Sequence, residues 1–134
     1  MTPEERFRAY LHAFNTGNWN ALRDFYAPAV RLVIGNGTEL NGREAIIDFY
    51  QKVNERVRRT IDIVQCFGNA NTLAAEIESE FVAIQDAPDF AVRPMVRGDR
   101  YYLNSFVFYD SEGGQYTRIR AATFRREFRP VGES

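Results

Sequence analysis

The chain has 134 residues, 45% of them apolar and 14% aromatic, with one cysteine, one histidine and a net charge of −1. That is length enough for one domain, residues 1–134, with a full core, and too near neutrality for general nucleic-acid binding, which needs a basic face. A lone Cys66 excludes an internal disulfide and a zinc cluster, and no apolar run reaches membrane-spanning length, so no membrane partner is expected.

Met1-Thr2-Pro3-Glu4-Glu5 lacks the charged-then-apolar order of a secretory signal, which points to a cytoplasmic protein. Thr2 and Glu5 form a capping box with Pro3 at the first helical position. Phe7, Tyr10, Leu11 and Phe14 then recur at helical spacing, and Gly17 stops the helix. Asn18 caps a second helix, carried by Trp19, Leu22, Phe25 and Tyr26 as far as Pro28. Val30 to Ile34 reads as a short strand, and Gly35-Asn36-Gly37 as a turn. Asn41 and Glu44 suggest another capping box. Behind it, Ala45, Ile46, Phe49, Tyr50 and Val53 form a third apolar stripe, which runs out at Arg56-Val57-Arg58-Arg59.

From Thr60 the period becomes that of strands. Strands are expected over 60–68, 72–84, 100–110 and 115–128, with turns at 69–71 and 112–114. The stretch 85–99, with Pro88 and Pro94, is too long for a hairpin loop and reads as a lid or a sheet rim. The tail from Arg129 to Ser134 reads as frayed. Three helices and a short strand pair precede four long antiparallel strands. The fold class is therefore α+β: a strongly bent antiparallel sheet with the helices on one face. A sheet so bent can enclose a cavity.

Three tyrosines stand out: Tyr10 late in the first helix, Tyr26 at the end of the second, Tyr50 in the third. A buried phenol needs a partner for its hydroxyl. These three could satisfy one another around a shared cavity, or each could bond separately to backbone carbonyls.

The element order resembles the nuclear transport factor two-like superfamily, a cone of bent sheet and three helices. The local matches are Tyr10 to Gly17, Leu22 to Ala27, Gly42-Arg43-Glu44-Ala45-Ile46 and Phe49-Tyr50. Within that superfamily the site is most similar to ketosteroid isomerases and SnoaL-type polyketide cyclases. The resemblance implies an oxyanion-hole tyrosine at Tyr10, supporting tyrosines at Tyr26 and Tyr50, and an oxyanion-hole acid at the position of Asn104. An amide can also donate to an oxyanion. The aspartate base of the isomerases would fall on Ile34, or on Val33 one residue earlier, and neither moves a proton. The acidic residue of the limonene epoxide hydrolase pattern would fall near Ala121. Phe14, Trp19, Ile34, Phe49, Phe81, Tyr102, Phe106 and Ala121 are the expected pocket wall.

By strand alternation Asn104 shares a face with Tyr102, Phe106 and Phe108. If these line the cone, Asn104 is a structural or a ligand-facing amide. Glu76, Glu78 and Glu80 alternate with Ile77, Ser79 and Phe81 and read as charge pairs on the outer face, with Arg118 and Arg120 opposite. His12 points away from the apolar stripe, and Cys66 reads as a small buried hydrophobe. Asp86, Asp89 and Asp99 are the candidate replacement acids, Asp99 foremost because it begins a strand.

The functional reading is binding of a small hydrophobic carbonyl compound of steroid or polyketide type. Isomerisation or cyclisation, with Tyr10 and Asn104 on the developing oxyanion, would be its catalytic form. The other reading is a non-catalytic ligand-binding or assembly domain. No metal and no cofactor is implied. A homodimer is expected through the outer sheet face, with Tyr101, Leu103, Val107, Tyr109, Ala122 and Phe124 as the patch.

Overall fold

The computed structural model describes residues 1–35 and 37–132. Asn36 of the expected turn, and Glu133 and Ser134 of the expected tail, lie outside the described residues. In chain order the elements are α1 (Pro3–Asn15), α2 (Trp19–Arg23), β1 (Tyr26–Val33), β2 (Glu39–Asn41), α3 (Arg43–Asn54), β3 (Val57–Gly68), β4 (Thr72–Ala83), β5 (Arg100–Glu112) and β6 (Gln115–Arg129). The strands form one curled, unclosed sheet in the order β2-β1-β6-β5-β4-β3. It is mixed rather than wholly antiparallel, because β1 runs parallel to β6 while the other neighbours are antiparallel.

Local chemistry accounts for most element ends. At α1 the capping box closes in both directions: Glu5 N–H donates to the Thr2 hydroxyl at 3.1 Å, and Thr2 N–H donates to the Glu5 carboxylate at 3.0 Å. Asn18 caps α2 by accepting the Ala21 N–H. That helix is shorter than the sequence suggests. It ends at Arg23, and Tyr26 is the first residue of β1. The second capping box does not form. The N-cap of α3 is Gly42, at φ 89°, and makes no side-chain cap. Glu44 pairs instead with Arg23 of α2 at 3.0 Å. The third helix also stops earlier, at Asn54, so Val57, Arg58 and Arg59 belong to β3.

Helix α1 buries Phe7, Tyr10, Leu11, Ala13 and Phe14 against the concave side of the sheet. Each large side chain so buried stabilises the fold by roughly 1.5–3 kcal/mol. A second apolar cluster gathers Val57, Phe81, Ala83, Tyr101, Ala87 and Met95. The last two come from the connection between β4 and β5, which is pinned by an Ala87–Met95 bridge. At the close of that connection, Asp99 accepts the N–H groups of Val96 and Val131, at 2.9 and 2.7 Å. This foremost candidate acid is therefore a structural carboxylate. Asp86 accepts the Arg97 N–H, and Asp89 pairs with Arg56 at the surface. His12 is exposed, and Cys66 is partly buried against the main core.

β3 is a sheet edge, and α1 closes it through one side chain. The Asn15 amide donates to the Ile61 carbonyl at 3.0 Å, and its oxygen accepts the Ile61 N–H at 2.8 Å. An unpaired edge strand invites association with other chains, so this two-way bond also blunts the edge. Asn15→Ala removes both bonds and should lower the unfolding free energy by about 1–3 kcal/mol. Urea unfolding monitored by circular dichroism reads this as an earlier midpoint. An unchanged midpoint would show that water satisfies Ile61 equally well.

Candidate ligand-binding site

Alternation along the strands decides what faces the helices. On β4, Ile77, Ser79 and Phe81 are buried beneath them, and Glu76, Glu78 and Glu80 point outward. Ser79 pairs with Leu103 and Glu78 with Asn104, and directly paired residues share a face. On β5 the inner set is therefore Tyr101, Leu103, Ser105, Val107 and Tyr109. Asn104, Tyr102 and Phe106 stand on the outer face, contrary to the sequence-based expectation. The Asn104 amide donates to Glu78 at 3.3 Å, and the Tyr102 hydroxyl to Glu80 at 2.7 Å. Phe106 is about half exposed and stacks on Phe124, with centroids 4.4 Å apart. None of the three meets the cavity. Asn104 thus has no part in an oxyanion hole.

Between the helices and the concave face lies a cavity of about 260 Å³. Of the expected wall, Phe14, Trp19, Ile34, Phe49, Phe81 and Ala121 line it, and so do Tyr10 and Tyr50. The connection between β4 and β5 contributes Phe90, Ala91 and Val92, so it covers the cavity as a lid would. Ile34 stands where the resemblance places a base. Among the described residues of the lining there is no Asp, Glu, His, Cys or Lys.

The phenol cluster is wider than the expected one. Tyr10 and Tyr26 share a hydrogen bond of 2.7 Å, with Tyr26 fully buried behind Tyr10. The third phenol of the cluster is Tyr109 of β5. Its ring meets Tyr10 edge-on at 5.7 Å, and Tyr116 of β6 stands 5.2 Å from Tyr10. Tyr50 stands edge-on to Phe14 at 4.9 Å, within hydrogen-bonding reach of Arg59, and close enough to Tyr10, Tyr26 and Tyr109 to raise their ionisation. The parity of β5 hid Tyr109 from the sequence reading.

Arg59 was also missed, since it was read as the tail of a helix. It reaches into the cavity from β3, between Val57 and Ile61 on the same face. Its Nε and Nη2 donate to the fully buried Ser79 hydroxyl at 3.1 and 2.8 Å. Its guanidinium also lies over the rings of Phe14 and Phe81, at 5.6 and 5.1 Å. An arginine alternating with Val57 and Ile61 was the signal in the sequence.

Burial, and then the neighbouring phenols, pushes the ionisation of Tyr10 and Tyr26 well above the ordinary phenol range. Burial raises Tyr109 too. It raises Tyr50 as well, against the opposing pull of Arg59. Tyr116 is pushed up to about 12, burial outweighing the Arg6 charge beside it. At neutral pH these five phenols are protonated, and Tyr10, Tyr50 and Tyr109, which line the cavity, can serve a ligand as donors.

The fold defines a small α+β protein of the nuclear transport factor two-like class. The chain belongs to the SnoaL-like domain family, whose model matches residues 7–124. It is similar to the structure of a candidate polyketide cyclase from Pseudomonas putida KT2440, at 27% identity. That match covers 90% of each chain with a TM-score of 0.77. It is also similar to another candidate polyketide cyclase, from Xanthomonas campestris pv. campestris, at 29% identity. There 89% of this chain matches 87% of that one, with a TM-score of 0.75. A computationally designed 17-OHP binder shares the fold at 14% identity, over 96% of this chain and all of the other (100%), with a TM-score of 0.75. Among curated protein sequences none matches significantly. Among the described residues, no helix is long and apolar enough to cross a membrane.

The raised phenol ionisations have a consequence for stability. A folded-state pKa above the unfolded value gives a contribution that is complete below the unfolded pKa, about 10, and is lost as pH rises from there through the folded values. Absorbance at the phenolate band should therefore show Tyr10, Tyr26, Tyr50, Tyr109 and Tyr116 ionising late. For the most deeply buried of them, ionisation should coincide with loss of the circular dichroism signal. Smooth titration of every tyrosine near pH 10, with the fold intact, would contradict the burial described.

Proposed function

We propose that the protein binds a small hydrophobic carbonyl compound of polyketide or steroid type in this cavity. The observation that carries the reading is an aromatic cavity with the protonated phenol of Tyr10 in one wall, hydrogen-bonded to Tyr26 behind it. Its size lies near the lower end of small-molecule sites, roughly 300–1,000 Å³. Similarity to candidate polyketide cyclases supports the same ligand class. Isomerisation or cyclisation through an enolate would need a group to take the carbon-bound proton. The lining residues offer no carboxylate or imidazole for it. Binding is therefore the function the geometry favours, with Tyr10 as donor to the carbonyl oxygen and Tyr26 holding its hydroxyl in place.

Trp19 is the single tryptophan and lines the cavity, so its emission reports occupancy. Titration with 2-acetonaphthone, a neutral aromatic ketone, should quench it saturably. Tyr10→Phe should weaken that binding about two- to tenfold, the worth of one neutral hydrogen bond. The absence of saturable quenching would overturn the reading.

We also propose a homodimer through the outer sheet face, with a different patch from the one the sequence suggests. Tyr101, Val107 and Tyr109 are buried inward and Leu103 faces the cavity, so none is available. The outward apolar groups are Phe106, Phe108 and Phe124, each about half exposed. Glu78, Glu80, Arg100 and Arg125 stand around them with both signs of charge, so the face is complementary to a copy of itself. Sedimentation should give twice the 15.5 kDa chain mass. A paired Phe106→Glu and Phe124→Glu change should return the monomer without loss of the fold. A monomer in the unmodified protein would reject the dimer.

A further inference from the structure

The cavity has a second pole that the ketone reading leaves unused. Arg59 and Arg126 line the cavity, and among the described residues no carboxylate lines it. Arg126 is exposed, whereas Arg59 is partly buried among aromatic rings. The ion pairs among the described residues engage Arg23, Arg31, Arg43, Arg56, Arg100, Arg120 and Arg129, and Arg59 takes part in none of them. Its polar partners are neutral hydroxyls, those of Ser79 and Tyr50.

A guanidinium carries five N–H donors in a planar fork. Ser79 occupies the Nε and Nη2 edge. Tyr50 stands within hydrogen-bonding reach of the guanidinium, and the donors that Ser79 and Tyr50 do not take are left for a ligand. Phe14 and Phe81 hold the guanidinium by cation–π contact, which compensates only part of the loss of water around a charge. Tyr50, beside Arg59, adds a protonated phenol. An arginine so fixed, with donors to spare, matches the geometry of a carboxylate.

We infer that the ligand is an anion: a hydrophobic carboxylic acid whose carboxylate is held by Arg59, with Tyr50 beside it, while its apolar body fills the aromatic cavity. This rests on the binding reading above and names the substrate class within it. A ligand with a carbonyl near its other end would reach the Tyr10 pole as well. Arg126, at the exposed end, gives the entrance the same sign and favours approach of anions.

The test compares 2-naphthoate with 2-acetonaphthone by isothermal titration calorimetry at low ionic strength. The two probes share a ring system and differ in charge. Naphthoate should bind about tenfold or more tightly, the lower range of a charge-assisted pair. In Arg59→Met, which keeps an unbranched stem between Phe14 and Phe81, that preference should vanish. Arg59→Lys should keep part of the preference, since the charge remains and the fork is lost. The comparison in the unmodified protein decides the matter even if Arg59→Met does not fold. Equal affinities for the two probes, or a preference that survives in Arg59→Met, would overturn the anion assignment and leave the cavity reading standing. Binding of neither probe would overturn both.

Discussion

The register of β5 between β4 and β6 is the constraint on which the rest of the site depends. Side chains alternate along a strand, so a slip of one residue exchanges the entire inner set for the outer one. In the observed register Leu103 lies against Ser79 on one side and Arg126 on the other. That places Tyr101, Leu103, Ser105, Val107 and Tyr109 over the helices. A slipped register would bring Asn104 and Phe106 inward and push Tyr109 out, breaking up the phenol cluster. The strand tolerates either assignment in isolation, since both its faces are rich in apolar groups. Its neighbours decide. Turning the Glu76, Glu78 and Glu80 face of β4 inward would bury three carboxylates without partners, which is far costlier than leaving Phe106 and Phe108 half exposed.

Two chemically different poles face one cavity. At one, phenols stand close together and stay protonated because burial penalises the phenolate. At the other, a guanidinium that cannot lose its proton is held by a serine hydroxyl and two rings. The costs of burying these groups are unequal. A phenol pair shares one hydrogen bond and satisfies itself in part, at a net gain of roughly 0.5–1.5 kcal/mol. A cation in an apolar wall has no such internal solution. The uncompensated cost of burial therefore concentrates at Arg59, and a ligand that relieves it gains affinity there.

Much of this was legible in the sequence where one local rule dominated. The box at Thr2 and Glu5, the stripe from Phe7 to Phe14, the Asn18 cap and the parity of β4 all rest on residues that admit one solution. The misreadings have equally local causes. Tyr26 follows a helical pattern through Phe25, but five residues end α2 at Arg23 and the chain extends before Pro28. Asn41 and Glu44 have the spacing of a capping box, yet Arg23 takes Glu44 across the helix pair, a partner no local pattern contains. Arg59 was absorbed into a helix end because α3 and β3 meet within a few residues of mixed apolar and basic character. The parity of β5 could not be read at all. The long connection before it carries no register, and the tight turn after it at Gly113-Gly114 is followed by two register shifts along β5 and β6.

The same fold supports different chemistry because the wall residues, and not the frame, set the sign of the field inside it. With an aspartate at the position of Ile34 the cavity would hold a proton acceptor opposite the phenols, and an enolisable ketone could lose a proton there. Ile34 removes that charge. Arg59 contributes one of the opposite sign on the far wall, with Arg126 beyond it at the rim. The change therefore goes beyond the loss of a base. A cavity with two cations and, among the described residues, no anion stabilises ligands that arrive already ionised, and it disfavours placing an additional proton on the protein. Protonated phenols suit such a ligand, since they donate to its oxygens without bringing a competing negative charge. Aromatic walls complete the selection by excluding small hydrophilic anions, which would lose their hydration without apolar contact in return. The physical reading thus converges on one kind of molecule, apolar in body and acidic at one end.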